Sequence, residues 1–203
     1  MPRNALIIFV KNPIEGKVKT RLAKTVGHTK AVEVYRELLE YTRNLTDSLP
    51  SEDLHRTVYY GDFVNENDLW NGYARYLQTE GDLGLRMQEA FREQLEAGAE
   101  RVVIIGSDCL DLRPTHLQQA FEVLHESDVV LGPSTDGGYY LLGMTRLHEM
   151  LFEEMPWSQP ELLEKTIFKL QQHGLKYQLL PPLTDIDEWD DYLQAKERLL
   201  SRP

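Results

Sequence analysis

The chain has 203 residues, 41% of them hydrophobic and 27% charged, with a formal net charge of −11. That length fits one domain with one core, residues 1–203, and so ordinary a composition excludes disordered, collagen-like and disulfide-scaffold classes. The acidic balance argues against nucleic acid or an anionic membrane as partner; the longest apolar run, Ala5–Val10, is too short to cross a bilayer, and the single cysteine, Cys109, permits no internal disulfide, so a cytoplasmic protein is expected.

In chain order, Asn4–Lys11 is a continuous apolar run stopped by Asn12-Pro13, the pattern of a strand buried on both faces. From Thr29 to Thr46 the apolar residues Val34, Tyr35, Leu38, Leu39 and Leu45 recur at helical spacing, with Thr29 as the expected N-cap. Thr57–Tyr60 and Tyr73–Thr79 read as strands, and Met87, Ala90, Phe91 and Leu95 share a helical face that ends at Gly98. Arg101–Ile105 is a second buried strand, followed by a helix whose Leu117, Ala120, Phe121 and Leu124 lie at i, i+3, i+4 and i+7, and then by the strand Asp128–Leu131. Only Pro133–Gly138 separates that strand from the apolar run Tyr139–Met144, too little chain for a helical crossover, so an antiparallel pair near one edge is expected. A helix over Pro160–His173, a strand near Tyr177–Leu180 and a helix over Asp187–Leu200 complete the chain. Alternating strands and helices imply a mostly parallel α/β sheet with helices on both faces, a three-layer α/β/α sandwich.

Ligands of such sheets bind outside the carboxyl ends of the strands, where strand order reverses, so the loops leaving strands carry the chemistry. The first, KNPIEGKVKTRLA, breaks the acidic trend: Lys11 to Lys24 hold five basic residues against Glu15, a local charge of +4 that leaves −15 elsewhere. Gly16 lets backbone approach a ligand, and Lys11, Lys17, Lys19 and Arg21 can meet phosphate oxygens. Gly16-Lys17 lacks the upstream glycine and the hydroxyl of a Walker loop. The second buried strand ends in IIGSDCLDL. There Ser107 can meet a phosphate, and Asp108 can hold a hard cation through one or two carboxylates, although a turn or cap would also suit an aspartate after a strand. In TDIDEWDD, Asp185 or Asp187 could complete that cation site, and Asp187 with Asp190 would also start a helix well. Two glycine-rich stretches admit two readings each. GDLGLRM, with Gly81, Asp82, Gly84 and Arg86, suits nucleotide or substrate contact as well as a helix start; STDGGYYLLG, with Asp136, Gly137 and Gly138, suits an acceptor loop as well as a hairpin turn.

Taken in order, KNPIEGKVKTRLA, GDLGLRM, IGSDCLDL, GPSTDGGYYLLG, PWSQPELLEKT and TDIDEWDDY resemble a bacterial transferase family linked to radical-SAM and selenium gene neighbourhoods. That family sits in the nucleotide-diphospho-sugar transferase superfamily of GT-A fold, and the chain is more distantly similar to the guanylyltransferases of phospholactate and molybdopterin. The resemblance implies a Rossmann-like sheet, nucleotide phosphates on Lys17, Lys19 and Arg21, and Mg²⁺ (or Mn²⁺) on Asp108 with Asp185 or Asp187. It implies a nucleoside triphosphate or a nucleotide sugar as donor and a small-molecule acceptor. Leu110, Leu85 and Thr135 stand where the family commonly has proline, glutamate and an acid. The expected reaction is nucleotidyl transfer to a phosphorylated acceptor, with Lys19, Arg21 and Asp108 catalytic; glycosyl transfer and nucleotide binding without catalysis are the alternatives.

Overall fold

The structure is a computed structural model that describes residues 3–201. Seven strands form one sheet in the order β3-β2-β1-β4-β6-β5-β7. The elements are β1 (Asn4–Val10), α1 (Thr20–Val26), α2 (His28–Asp47), β2 (Leu54–Tyr60), β3 (Ala74–Leu77), α3 (Leu83–Glu96), β4 (Arg101–Ile105), α4 (Pro114–Val123), β5 (Val129–Pro133), β6 (Tyr139–Met144), α5 (Leu162–Gln172), β7 (Tyr177–Leu179) and α6 (Trp189–Leu200).

The central strands are buried because helices cover both faces, and the pleat divides their side chains between two cores. On β1, Leu6, Ile8 and Val10 face α2, α4 and α6, where they meet Leu38, Leu117 and Ala195; Ala5 and Ile7 face the layer of Phe91 on α3 and Leu170 on α5. β1 runs parallel to β2 on one side and to β4 on the other, with Ile8 opposite Val58 and Ile105. Strand order therefore reverses between β1 and β4, and the loops leaving these two strands flank the crevice that opens there.

β6 is antiparallel to both neighbours and is inserted between β4 and β5. Two glycines allow this. A Cβ on Gly132 would come within 2.4 Å of the Tyr140 ring, and one on Gly143 within 2.7 Å of Val130 and 3.0 Å of Val103. Three expectations change. The helix α1 lies inside the stretch read only as a basic loop, and α2 starts at His28 behind Gly27, whose φ of 83° suits glycine; Thr29 does not cap it and donates instead to Glu15 at 2.7 Å. The last helix starts at Trp189, because Asp191 accepts from the backbone N–H groups of Asp187 and Glu188 and closes its first turn. Among the described residues no helix is long and apolar enough to cross a membrane.

Candidate active site

The β1 loop and the β4 loop share one cleft of about 780 Å³. The Lys11 backbone N–H, at the end of β1, donates to the hydroxyl of Tyr35 on α2 at 2.9 Å, and that hydroxyl lies 3.4 Å from Ser107 Oγ at the end of β4. One buried tyrosine thus ties the two strand ends together. Burial, and then the charge of Asp108, raises its pKa far above the phenolic range, so it stays a neutral hydrogen-bonding group.

Lys19 and Asp108 meet directly. Lys19 adopts a left-handed φ of 47° at the N-terminus of α1, which turns its side chain inward until only 6% is exposed. Its Nζ lies 2.9 Å from Asp108 Oδ1 and donates to the Ile186 carbonyl at 2.5 Å. Asp108 Oδ1 is itself buried and receives no well-aligned hydrogen bond. A left-handed non-glycine residue costs on the order of 1–3 kcal/mol, and such strain concentrates at functional sites.

The acidic segment joins them through the backbone. The Ile186 N–H donates to the Asp108 carbonyl at 2.8 Å, and Ile186 is fully buried, so the flanking Asp185 and Asp187 both turn to the cleft. Asp185 accepts from Ser134 Oγ at 3.1 Å, and Asp187 pairs with Arg21 at 3.2 Å. Burial, followed by the nearby charge of Asp108, pushes the Asp185 carboxyl up to about 7, with Ser134 and Lys19 opposing the rise. Two carboxylates that resist sharing negative charge suit a divalent cation. No group of three or more His, Cys, Asp or Glu is gathered for a metal among the described residues. Both carboxylates line the cleft, and oxygen donors of this kind are those a hard divalent cation takes.

Of the residues expected from sequence, the cleft brings together Lys11, Lys17, Lys19, Arg21, Gly81, Ser107, Asp108, Asp136, Gly138, Asp185 and Asp187. Four others do not line it, each for a local reason. Gly16, at φ 76°, serves the turn in which Lys17 N–H donates to the Ile14 carbonyl. Asp82 caps α3 by accepting from the Leu85 N–H at 2.8 Å, the helix-start reading. A Cβ on Gly84 would lie 2.4 Å from the Trp157 indole, and Gly137 has a φ of 91° with its Cβ direction blocked by the Pro160 carbonyl at 2.1 Å. Asp136 folds back on the Gly138 N–H at 3.0 Å, a local turn that still faces the cleft. Sequence reading passed over Tyr35, Gln78, Trp157 and Ser158 as site residues. Tyr35 reads only as one apolar position of a helix, and the PWS stretch carries no periodic signal.

A crevice at the reversal point of a mostly parallel sheet, lined by cations and paired aspartates, defines an α/β protein of the Rossmann-like fold shared by GT-A proteins and nucleotidyltransferases. The family model that matches residues 48–159 is described as an uncharacterised protein conserved in bacteria, DUF2064, and the chain belongs to that family. It is 30% identical to a candidate nucleotide-diphospho-sugar transferase of Desulfovibrio desulfuricans, with a TM-score of 0.88 over 100% of this chain and 89% of that one. Two more distant structures share the fold alone. One is a nucleotidyl transferase of Methanothermobacter (15% identity, TM-score 0.63, 98% of each chain); the other is a CMP:2-keto-3-deoxy-manno-octonic acid synthetase complexed with CTP (11%, 0.61, 98% of each chain). No curated protein matches the chain.

Proposed function

We propose that the protein is a Mg²⁺-dependent nucleotidyltransferase that moves a nucleoside monophosphate from a triphosphate to a phosphorylated small molecule. The observation that carries this reading is the contact of Lys19 with Asp108, which joins the cationic loop and the strand-end carboxylate in one cleft. An acceptor phosphate oxygen attacks the α-phosphorus, the bond from α-phosphorus to the bridging oxygen breaks, and pyrophosphate leaves with that electron pair. Little covalent help is needed from protein; positioning and neutralisation of charge carry such a transfer.

Asp108 and Asp185 are the residues that would hold Mg²⁺, with Asp187 drawn away by Arg21. When bound, the ion supplies neutralisation of phosphate charge. Lys11 and Lys17 face the cleft with no carboxylate partner among the described residues, which leaves them for the donor's phosphates. Lys19 holds Asp108 in place, a role that replaces the simpler picture of a free phosphate clamp, and Arg21 joins the phosphates by exchanging Asp187 for them.

The name of the 30% identical relative favours a second reading, with a nucleotide sugar as donor in the same cleft. Purified protein incubated with each nucleoside triphosphate and nucleotide sugar, Mg²⁺ or Mn²⁺ and a phosphorylated acceptor panel separates the two. Pyrophosphate release supports the first, nucleoside diphosphate the second, and tight binding with neither product would mean nucleotide recognition without catalysis. Asp108→Asn is expected to cut turnover on the order of a hundredfold; unchanged turnover would remove Asp108 from the site.

A further inference from the structure

The cations of the cleft fall into two sets. Lys19 and Arg21 are ion-paired with Asp108 and Asp187, whereas Lys11, Lys17 and Arg86 have no carboxylate partner among the described residues. Lys11 and Lys17 belong to the β1 loop and suffice for a polyphosphate tail. Arg86 stands on another element, the first turn of α3, where its Nε donates to the Gly81 carbonyl at 3.0 Å. That bond anchors the guanidinium while leaving both terminal nitrogens, a geometry suited to a phosphate or a carboxylate.

The same cleft also carries a built aromatic wall. Trp157 lines the same cleft from a loop in which Glu154 and Ser158 hold left-handed φ angles of 49° and 60°. Neither is glycine, so the loop keeps strain on both sides of the indole. Lys165 and Lys169 on α5 hold it by donating to the carbonyls of Glu154 and Glu153. The indole stacks on Phe152 at 6.5 Å between ring centres and rests on Gly84, where no side chain fits. Gly84 stands in the first turn of α3, and the indole it seats explains why that position is bare.

We propose that Arg86 and Trp157 form the acceptor wall. The acceptor would be a small anion whose phosphate or carboxylate pairs with Arg86 while a flat or apolar part lies on the indole. This rests on the transferase reading of the cleft and adds the class of molecule that receives the transferred group.

The test titrates phenyl phosphate, benzoate and inorganic phosphate into the full-length protein by calorimetry, and in parallel titrates nucleoside triphosphates with Mg²⁺. Variants are Arg86→Gln, Lys17→Gln and Gly84→Ala, the last chosen because its Cβ forces the indole to move, with retained triphosphate binding as the check that the fold survives. At least one aromatic anion should bind more tightly than inorganic phosphate, and whether it is phenyl phosphate or benzoate tells a phosphate acceptor from a carboxylate one. Arg86→Gln should weaken it on the order of tenfold with an unchanged melting temperature, Gly84→Ala should weaken it while triphosphate binding is retained even as the clash lowers the melting temperature, and Lys17→Gln should weaken the triphosphate instead. Binding of neither aromatic anion, equal binding of inorganic phosphate, or loss that follows Lys17→Gln rather than Arg86→Gln overturns the proposal. Failure of the wild type to bind any triphosphate or nucleotide sugar would instead sink the transferase reading, since the aromatic anions are read separately.

Discussion

Asp185 couples the site to stability. An unfolded carboxyl titrates at 3.8, whereas the folded one is pushed up to about 7 by burial and by Asp108. Between those values the native state keeps a proton that the unfolded chain has lost, so stability falls as pH rises through this window and the cost is complete above it. Asp185→Asn should therefore stabilise the protein by a few kcal/mol at most in metal-free buffer at pH 8, read as a higher melting temperature, and much less at pH 4; an equal shift at both pH values would show that charge is not the cause. Cys109 behaves oppositely to a reactive thiol. Burial and then the charge of Asp185 push it up to about 12, so the native protein should react slowly with a thiol reagent at pH 8 and fully in denaturant. Rapid native labelling would contradict that burial. At this scale the sequence disclosed which residue types gather but not their pairing. Lys19 is indistinguishable from Lys17 in the loop, yet a left-handed backbone buries one against Asp108 and leaves the other to the cleft.

Among the elements, β1 and β4 were readable because strands buried on both faces need long apolar runs, and Arg101–Ile105 has the expected bounds. The seven-residue α1 was not, because its buried face amounts to Leu22 and Ala23 among charged neighbours. The antiparallel pairing of β5 and β6 followed from the short connection between them, while the insertion of β6 beside β4 depends on packing that no local pattern records. Gly143 is the residue on which that insertion depends. Gly143→Ala meets Val130 and Val103 and should cost about 1–3 kcal/mol, a fall of several degrees in melting temperature. Gly106→Ala is the control, since a Cβ there meets nothing within 4 Å and stability should barely move. Equal effects from the two would mean that the sheet has room at β6 after all.

For the molecule as a whole, a body of net charge −11 carries a cleft lined by Lys11, Lys17, Lys19, Arg21 and Arg86. An approaching triphosphate meets repulsion at long range and attraction only nearby. Salt screens the first more than the second, since the Debye length is about 10 Å at 0.1 M. Association followed by stopped flow should accelerate as ionic strength rises from low values; a steady decline would show that the local cations govern the approach. The bond from Lys19 to the Ile186 carbonyl joins positions 167 residues apart, and Ser134 supports Asp185 across another 51. Segments far apart along the described residues thus converge on one cleft, so a variant without Asp185 and Asp187 would keep the Lys19–Asp108 pair but leave Arg21 and Ser134 without their carboxylate partners.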